Sequence, residues 1–577
     1  MSRRFIIFAG AIILIAAVVG GTIGSSRRFR RPVPVTGSVS YTEADDIEKD
    51  YNEAVAAISA EYAGDIDYEK ATQAAIQGML STLDPHSMYF PYTEFKKLKE
   101  DQDSRFYGIG VTIVQHRDGV YVQSAVENTP AGRLGLRYGD RILEVDGQDA
   151  REWSSDQVSK KVRGARGEAV KLKVERAGAE APIDFTIIRD AVPLPSIRNA
   201  YMLRPGTGYV GLTGGFQTTS DEELREAIDK LKSQGMRQMI LDMRGNPGGL
   251  LNQAIDVASE FLPRGQVVVS VKGRTEYSDA IVYKSTGSDP EDVPLVILIN
   301  RGTASASEIV AGAIQDHGRG LIVGETSFGK GLVQHVFQLP FNNGLTLTTA
   351  RYYTPYGRSL QRDYSNGSLY DYYTRHDAEE TKSPASSSVP SSAGAGVPKN
   401  SESPLAEGSP TPHPPSGPAV KTAAGRVFYG GGGITPDIDV KPLNFTPLKQ
   451  RVAEAAFQFT RRLAAGLVPG LESYKVEKVQ YGKTAKASDY PITDRVLEAF
   501  RAFLRVDTAS QLTPAQLDEE LEFVKLRLRD EIVTAAFSND AGARVLLDSD
   551  PQVLRALEVL PDAKRLAESV RNEASRG

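Results

Sequence analysis

Twice in this chain an apolar strand runs into a turn of small residues and then into an amphipathic helix, and that recurrence constrains the fold more than any other feature. Met239-Ile-Leu-Asp-Met243 leads through Arg244-Gly-Asn-Pro-Gly-Gly249 into a helix with Leu251, Ala254, Ile255 and Ala258 on one face. Pro294 to Ile299 leads through Asn300-Arg-Gly-Thr-Ala-Ser305 into a helix that aligns Ala306, Ile309, Val310, Ala313 and Ile314. Short apolar runs bounded by glycine read as buried strands, and the three- and four-residue spacing that follows reads as helix. Gly208-Tyr-Val-Gly-Leu212 is a further strand, followed by Ser220-Asp-Glu-Glu223, which reads as a capping box opening a helix with Leu224, Ile228 and Leu231 inward. Alternation of this kind predicts an α/β core.

Ser305 falls at the mouth of the second helix, where unpaired backbone N–H groups and the positive end of the helix dipole favour a serine oxygen or a neighbouring oxyanion. A serine hydroxyl becomes a nucleophile only when something takes its proton. Six histidines are available. His376 and His413 lie in or beside a low-complexity tract, and His86 and His116 are far upstream. His317, in a helix-end turn, and His335, among alternating apolar residues, read as structural. Lys330 is the better base: glycines flank it in Gly324-Glu-Thr-Ser-Phe-Gly-Lys-Gly-Leu-Val-Gln334, and Leu321-Ile-Val and Leu332-Val can wall it off from water. A lysine desolvated in this way can lose its charge, as Ser/Lys chemistry requires.

Two other readings of this segment fail. Gly324-x-x-x-x-Gly329-Lys330 imitates a phosphate-binding loop, but position 331 is Gly where a hydroxyl should hold Mg²⁺, and the following residues alternate like a strand. Ser327-Phe-Gly-Lys330 imitates a Ser-x-x-Lys motif, which needs a helix that the glycine disfavours, so Ser327 reads as a structural loop serine.

The two stretches, Asn300 to Gly312 and Gly324 to Gln334, resemble the signature of the C-terminal processing peptidases, the tail-specific Ser/Lys proteases, with 25 residues from serine to lysine. The resemblance implies that Ser305 is the nucleophile, Lys330 the general base and Gln334 the residue that orients the lysine. It implies a crotonase-like (ClpP-like) α/β core, with an oxyanion hole made by the backbone N–H of Gly248 or Gly249 and that of Ala306. Asp242 and Arg244 read as a structural pair. Ala350 to Gln361 and Gly425 to Ile438 continue the resemblance, which covers about residues 42–445.

The remaining sequence bounds the organisation. A chain of 577 residues suggests several domains, and a net charge near −5 carries no nucleic-acid signature. There is no cysteine, hence no disulfide or thiolate site, and no His-Glu-x-x-His helix, so no metal or other cofactor is expected. Phe5 to Gly24 is apolar for about twenty residues, long enough to span a bilayer, and arginines flank it on both sides. We read 1–24 as a transmembrane anchor or signal segment and 25–41 as a linker. The resemblance implies export, hence an extracytoplasmic enzyme in the periplasm or cell envelope, with uncleaved anchoring preferred.

Residues 42–103 read as an N-terminal helical region, with Ile47, Tyr51, Val55, Ile58 and Tyr62 on one stripe. Asp84 and His86, in Leu83-Asp-Pro-His-Ser-Met-Tyr-Phe-Pro91, read as helix-terminating turn residues. Residues 104–190 resemble a PDZ domain, with Phe106-Tyr-Gly-Ile-Gly-Val-Thr-Ile113 as carboxylate-binding loop and first strand. Gly108 and Gly110 would let backbone N–H groups capture a chain-terminal carboxylate, and Ile109, Val111, Val158 and Val162 either line an apolar side-chain pocket or are plain core. Protein substrates with free, apolar C-termini are therefore expected. Residues 191–445 form the protease core, interrupted by a Ser/Pro-rich insertion at 381–424 that cannot bury a core of its own. The C-terminal helical region, 446–577, with a helix start at Thr513-Pro514, is expected to pack on the core or mediate homo-oligomerisation. The sequence thus predicts a serine endopeptidase working through an acyl-enzyme. Its competitor, an inactive PDZ peptide-binding scaffold, is disfavoured by the complete set of Ser305, Lys330 and Gln334.

Overall fold

The computed structural model describes residues 41–102, 104–274, 281–363, 417–422, 425–486 and 488–574. The chain divides into two compact units, Met1–Ala74 and Ala75–Gly577. In the first, helix α1 (Tyr41–Glu61) carries the expected stripe, and Ile47, Tyr51, Val55, Ile58 and Tyr62 are all exposed. The apolar segment Phe5 to Gly24 lies outside the described residues; among those described, no helix is long and apolar enough to cross a membrane.

The second unit is built on a six-stranded sheet. Strands β7 (Ile197–Arg204) and β8 (Thr207–Leu212) pair antiparallel, and β9 (Gln238–Asp242), β12 (Leu295–Ile299), β13 (Leu321–Gly324) and β16 (Ile438–Asp439) continue it in parallel. Every residue of β8 and β12 is buried, as parallel strands covered on both faces require. One face is covered by α5 (Ser220–Ser233), α6 (Leu251–Ser259) and α7 (Ala306–Asp316), which place Leu224, Ala254, Ala258, Ile309 and Val310 in one core with Leu241 and Ile297. The sequence reading of α5 needs one correction. Its flanking residue is Thr219, whose hydroxyl donates to Glu223 at 2.6 Å, while the Ser220 hydroxyl accepts from the Gln217 N–H of the preceding turn at 2.7 Å.

The opposite face of the sheet is covered from far along the chain. In α12 (Pro551–Ala574), Val553, Ala556, Val559, Leu560 and Ala563 pack on Ile240, Val296, Leu298 and Val323. Each fully buried Val or Leu there contributes about 1.5–3 kcal/mol. The end of the C-terminal region is thus an integral layer of the core.

A second sheet, all antiparallel, stands beside the first. It runs β1 (Met88–Phe90), β15 (Gly344–Tyr353), β10 (Val267–Gly273), β11 (Ile281–Lys284), and β14 (Leu332–Gln338) also pairs with β15. Strand β1 corrects the boundary drawn from sequence. Residues 42–103 are not helical throughout, because Met88, Tyr89 and Phe90 pair with Thr346, Leu345 and Gly344 and so belong to this sheet of the second unit. An apolar Met-Tyr-Phe run finds its partner only in a strand more than two hundred residues away, which local periodicity does not reveal.

Between β1 and β7 the chain forms a separate sheet of β2 (Val111–His116), β3 (Gly119–Ala125), β4 (Arg141–Val145), β5 (Ala169–Glu175) and β6 (Ile183–Ile188), with helix α4 (Ser155–Val162) capped by Ser154. Its back is not free. Tyr121 and Tyr138 share a core with Phe457 and Leu463 of α8 (Pro447–Ala464), Phe500 of α9 (Asp494–Val506) and Leu528 and Ile532 of α10 (Leu521–Ala536). His116 stacks on Phe457 at 3.6 Å and meets Glu454 at 2.7 Å.

Thr513 caps the short helix Pro514–Glu519, as its Thr-Pro signal predicts. The insertion read at 381–424 is shorter at its end than expected: Ala419–Lys421 pairs antiparallel with Val427–Tyr429 and buries Thr422, while 381–416 and 423–424 lie outside the described residues.

Candidate active site

Strand β12 delivers the chain into a turn laced to the turn after β9. Asn300 Oδ1 accepts from Gly302 N at 3.0 Å and from Gly245 N at 2.8 Å, and the Thr303 hydroxyl donates to the Met243 carbonyl at 2.9 Å. Ser305 follows with φ 55° and ψ −114°, a conformation that L-residues rarely adopt and that costs of order 1–3 kcal/mol. It is 7% exposed and stands at the N-terminus of α7.

Glu308, fully buried one turn into α7, organises what surrounds it. Its Oε2 accepts from the backbone N–H of Ser305 at 2.8 Å and of Lys330 at 2.9 Å; its Oε1 accepts from Gly329 N at 2.8 Å and from the Ser327 hydroxyl. Burial pushes the Glu308 carboxyl above its usual range, and these hydrogen bonds work against that rise. Ser327, which also accepts from Ile434 N at 2.7 Å, is the structural serine expected.

Lys330 lies in the loop between β13 and β14. Burial holds its amine below the ordinary lysine range, opposed by the charges of Glu308 and Asp84. The glycine before it has a further reason: Gly329 sits at φ +87°, and a side chain there would press on the backbone N of Gly433 at 3.1 Å. Strand β14 begins two residues later, not a helix, and Gln334 on it donates through Nε2 to the Thr348 hydroxyl at 3.2 Å.

The Gly248-Gly249 turn closes over Ser305. A Cβ on Gly248, at φ +96°, would lie 2.8 Å from both Ser305 Cβ and Ala306 N, so only glycine fits against the serine. The Gly248 N–H is engaged with Asn246 Oδ1 at 2.9 Å. Among the described residues the N–H groups of Gly249 and Ala306 make no hydrogen bond. The Asp242–Arg244 pair is structural as read: Arg244 forks onto Asp242 at 2.6–3.0 Å and reaches Asp550 and Gln552 at the start of α12 at 2.7 Å.

Three residues at the site were missed or set aside by sequence reasoning. Tyr352 is buried on β15, its phenol pushed up to about 12 chiefly by burial, with a hydrogen bond to Ser305 working the other way. Asp84 and His86 do form a turn, since His86 N and Ser87 N both donate to Asp84 Oδ1, at 2.8 and 2.9 Å. That turn is buried within electrostatic reach of the lysine. The His86 imidazole is held down to about 4, first by burial and then by the Lys330 charge. His317 is structural as read, its Nε2 meeting the Val267 carbonyl at 2.7 Å, and His335 is exposed on β14.

In the PDZ-like sheet, β2 is the edge strand, and the start of α4 is tied to it by the Ser155 N–H to Gln115 Oε1 at 3.0 Å. Ile109, Val158 and Val162 are buried in the domain core and Val111 is half-buried against it. Gly110, at φ +80°, packs on Thr129, and its carbonyl accepts from Val126 N at 2.9 Å; Gly108 ends a strand, Arg105–Gly108, paired with Asp190–Pro193.

Comparison with known proteins adds the family. Residues 206–372 match the model of peptidase family S41, and residues 98–175 that of the PDZ domain. A carboxy-terminal-processing protease of Bartonella bacilliformis is 37% identical over 299 residues, covering 51% of this chain and 68% of that protein. The carboxy-terminal processing protease CtpA of Bacillus subtilis is 31% identical over 368 residues, covering 63% and 76%. The solved structure of a photosystem II D1 C-terminal processing protease is 30% identical and covers 55% of this chain and 83% of that one, with a TM-score of 0.33. A buried, strained serine at a helix mouth, a desolvated lysine held on the same carboxylate and an edge-strand peptide module thus sit in a chain that belongs to peptidase family S41, among the carboxy-terminal-processing proteases.

Proposed function

We propose that this serine peptidase cleaves proteins with a Ser305–Lys330 dyad in a crotonase-like core, after its PDZ domain has captured a free C-terminus along the edge of β2. The observation that carries the reading is Glu308 Oε2, which takes the N–H of Ser305 and of Lys330 and so fixes nucleophile and base to one atom. Neutral Lys330 takes the Ser305 hydroxyl proton as Oγ attacks the scissile carbonyl carbon. The oxygen gains negative charge in front of the free N–H groups of Ala306 and Gly249, where fixed donors stabilise it without reorganising. Gly249 is favoured over Gly248 as the second donor because the Gly248 N–H is already engaged with Asn246. The protonated Lys330 then gives its proton to the leaving amine, and water, activated in the same way, releases the acyl group from Ser305. Gln334 holds the lysine in place.

The strain at Ser305, at φ 55° and ψ −114°, supports a working site over an inert scaffold, since strain of this kind clusters at active sites. Ser305→Ala and Lys330→Arg test the reading together. Arginine keeps the charge and cannot act as a base, so both variants should be inactive on an unfolded protein substrate while remaining folded. Turnover by either one sinks the assignment. Phe5 to Gly24 we assign as an uncleaved anchor that keeps the enzyme on the outer side of the membrane; N-terminal sequencing that begins near Ser25 would replace the anchor with a signal peptide.

A further inference from the structure

The Asp84 turn sits against the residues that hold Lys330, and its hydrogen bonds have a direction that can be read. Asp84 Oδ1 takes three donors: His86 N at 2.8 Å, Ser87 N at 2.9 Å and the Thr348 hydroxyl at 3.0 Å. The two backbone N–H groups can only donate, so Oδ1 is an acceptor, and the Thr348 proton must point to it. The same turn holds Thr348 a second time. Ser87 Oγ accepts from Thr348 N at 3.1 Å and donates to Asp84 Oδ2 at 2.7 Å.

With its proton committed, the Thr348 oxygen can only accept. Among the described residues its other hydrogen-bond partner is Gln334 Nε2 at 3.2 Å. Gln334 must therefore turn its NH₂ toward Thr348, which leaves its carbonyl oxygen for another donor. All of these groups are buried or half-buried, where the reversed amide would set two donors or two acceptors against each other at the full cost of an unmade hydrogen bond.

We propose that Asp84 and Thr348 are positioning residues for the general base: by claiming the Thr348 proton, Asp84 fixes the amide of Gln334 so that its carbonyl oxygen is the atom offered to the Lys330 amine. The proposal rests on the reading of Lys330 as base and Gln334 as its support. The relay joins three parts of the chain, the turn before β1, strand β15 and strand β14, and it explains why the protease core recruits a strand from ahead of the PDZ domain. Asp84 also acts directly, because its charge favours the protonated lysine against burial. The other charged or titratable groups bearing on this pair are Glu308 from α7, His86 from the turn itself and Arg362, whose charge reaches His86.

The test uses the full chain and three substitutions, with kcat and KM measured on an unfolded protein. Thr348→Val removes the hydroxyl and keeps the shape of a β-strand residue, so kcat should fall by roughly ten- to a hundred-fold, the scale of a misplaced catalytic group, with KM little changed. Thr348→Ser restores the hydroxyl and should recover most of kcat. Asp84→Asn keeps an acceptor for Thr348 but removes the charge, so the acid limb of kcat/KM should move to lower pH. The proposal is overturned by a wild-type kcat for Thr348→Val or by a loss that Thr348→Ser does not recover, and an unmoved limb in Asp84→Asn removes only the direct effect of the Asp84 charge. Ser305→Ala run beside them separates the two levels: if it is inactive while Thr348→Val turns over normally, only the relay fails, whereas turnover by Ser305→Ala removes the dyad itself.

Discussion

Ser305 and Lys330 hang from one oxygen atom: Glu308 Oε2 accepts the backbone N–H of the serine at 2.8 Å and of the lysine at 2.9 Å. The serine N–H is an orphan donor of a helix start, the lysine N–H belongs to a loop that has no ladder to join, and a fully buried carboxylate satisfies both. The proposed nucleophile and base are therefore placed by backbone, leaving their side chains free to react.

Glu308→Gln should break this arrangement with little change of shape. Both carboxylate oxygens accept from at least one backbone N–H, so an amide NH₂ in either place faces a donor and leaves it unmade in the interior. The expected cost is about 1–3 kcal/mol of stability, with a large loss of kcat. Denaturant unfolding and turnover of the variant check it, and wild-type values in both would show that Glu308 is a spectator.

The pH–rate profile follows from the burial of Lys330. Its folded pKa is lowered, so the neutral, competent amine appears as pH rises through a value below the ordinary lysine range, and activity is lost on the acid side of that value. Stability has the same sign: the folded state resists protonating the buried lysine, so this group destabilises the protein as pH falls from the ordinary lysine range to the lowered one. A limb in kcat/KM at about 10.4, the free-lysine value, would contradict the desolvated base.

If the edge of β2 holds a chain terminus, the terminal carboxylate is part of what is recognised. Peptides ending in an amide should bind the inactive Ser305→Ala full-length chain more weakly than the same peptides with free ends, by about 1.5–3 kcal/mol, the range for hydrogen bonds to a charged group. Equal affinities in a fluorescence titration would refute tail capture. Ile109, Val158 and Val162 are buried in the domain core and Val111 is half-buried against it, so of the four Val111 is the side chain already exposed to a peptide on β2.

Phe457 joins the PDZ-like sheet to the C-terminal helices through its stack with His116 and its edge contacts with Tyr121 and Tyr138, at 5.2 and 5.4 Å. It is completely buried, so Phe457→Ala should cost about 3–5 kcal/mol. Thermal unfolding should report the loss, and limited proteolysis should cut first between the helices and the sheet. An unchanged melting temperature would mean that the two are not coupled.

Local patterning was enough for much of this protein. The strand–turn–helix repeat, the serine at a helix mouth, the lysine between glycines with a strand after it, the structural roles of Ser327, His317 and the Asp242–Arg244 pair all follow from periodicity and turn chemistry, which act over a few residues. Long-range partnership has no such signature. That Met88–Phe90 is a core strand, that α12 roofs the central sheet, and that Tyr121 and Tyr138 lie under the C-terminal helices depends on surfaces brought together from hundreds of residues apart. Tyr352, Thr348 and Asp84 escaped for the same reason: each looks ordinary beside its neighbours in sequence, a strand aromatic, a strand threonine and a turn aspartate. The sequence by itself determined which atoms are candidates for the chemistry, because reactivity is a property of residue types and their local backbone. Only the tertiary structure decided what desolvates, orients and charges those atoms, because burial and hydrogen-bond direction are set by groups that the chain order keeps apart.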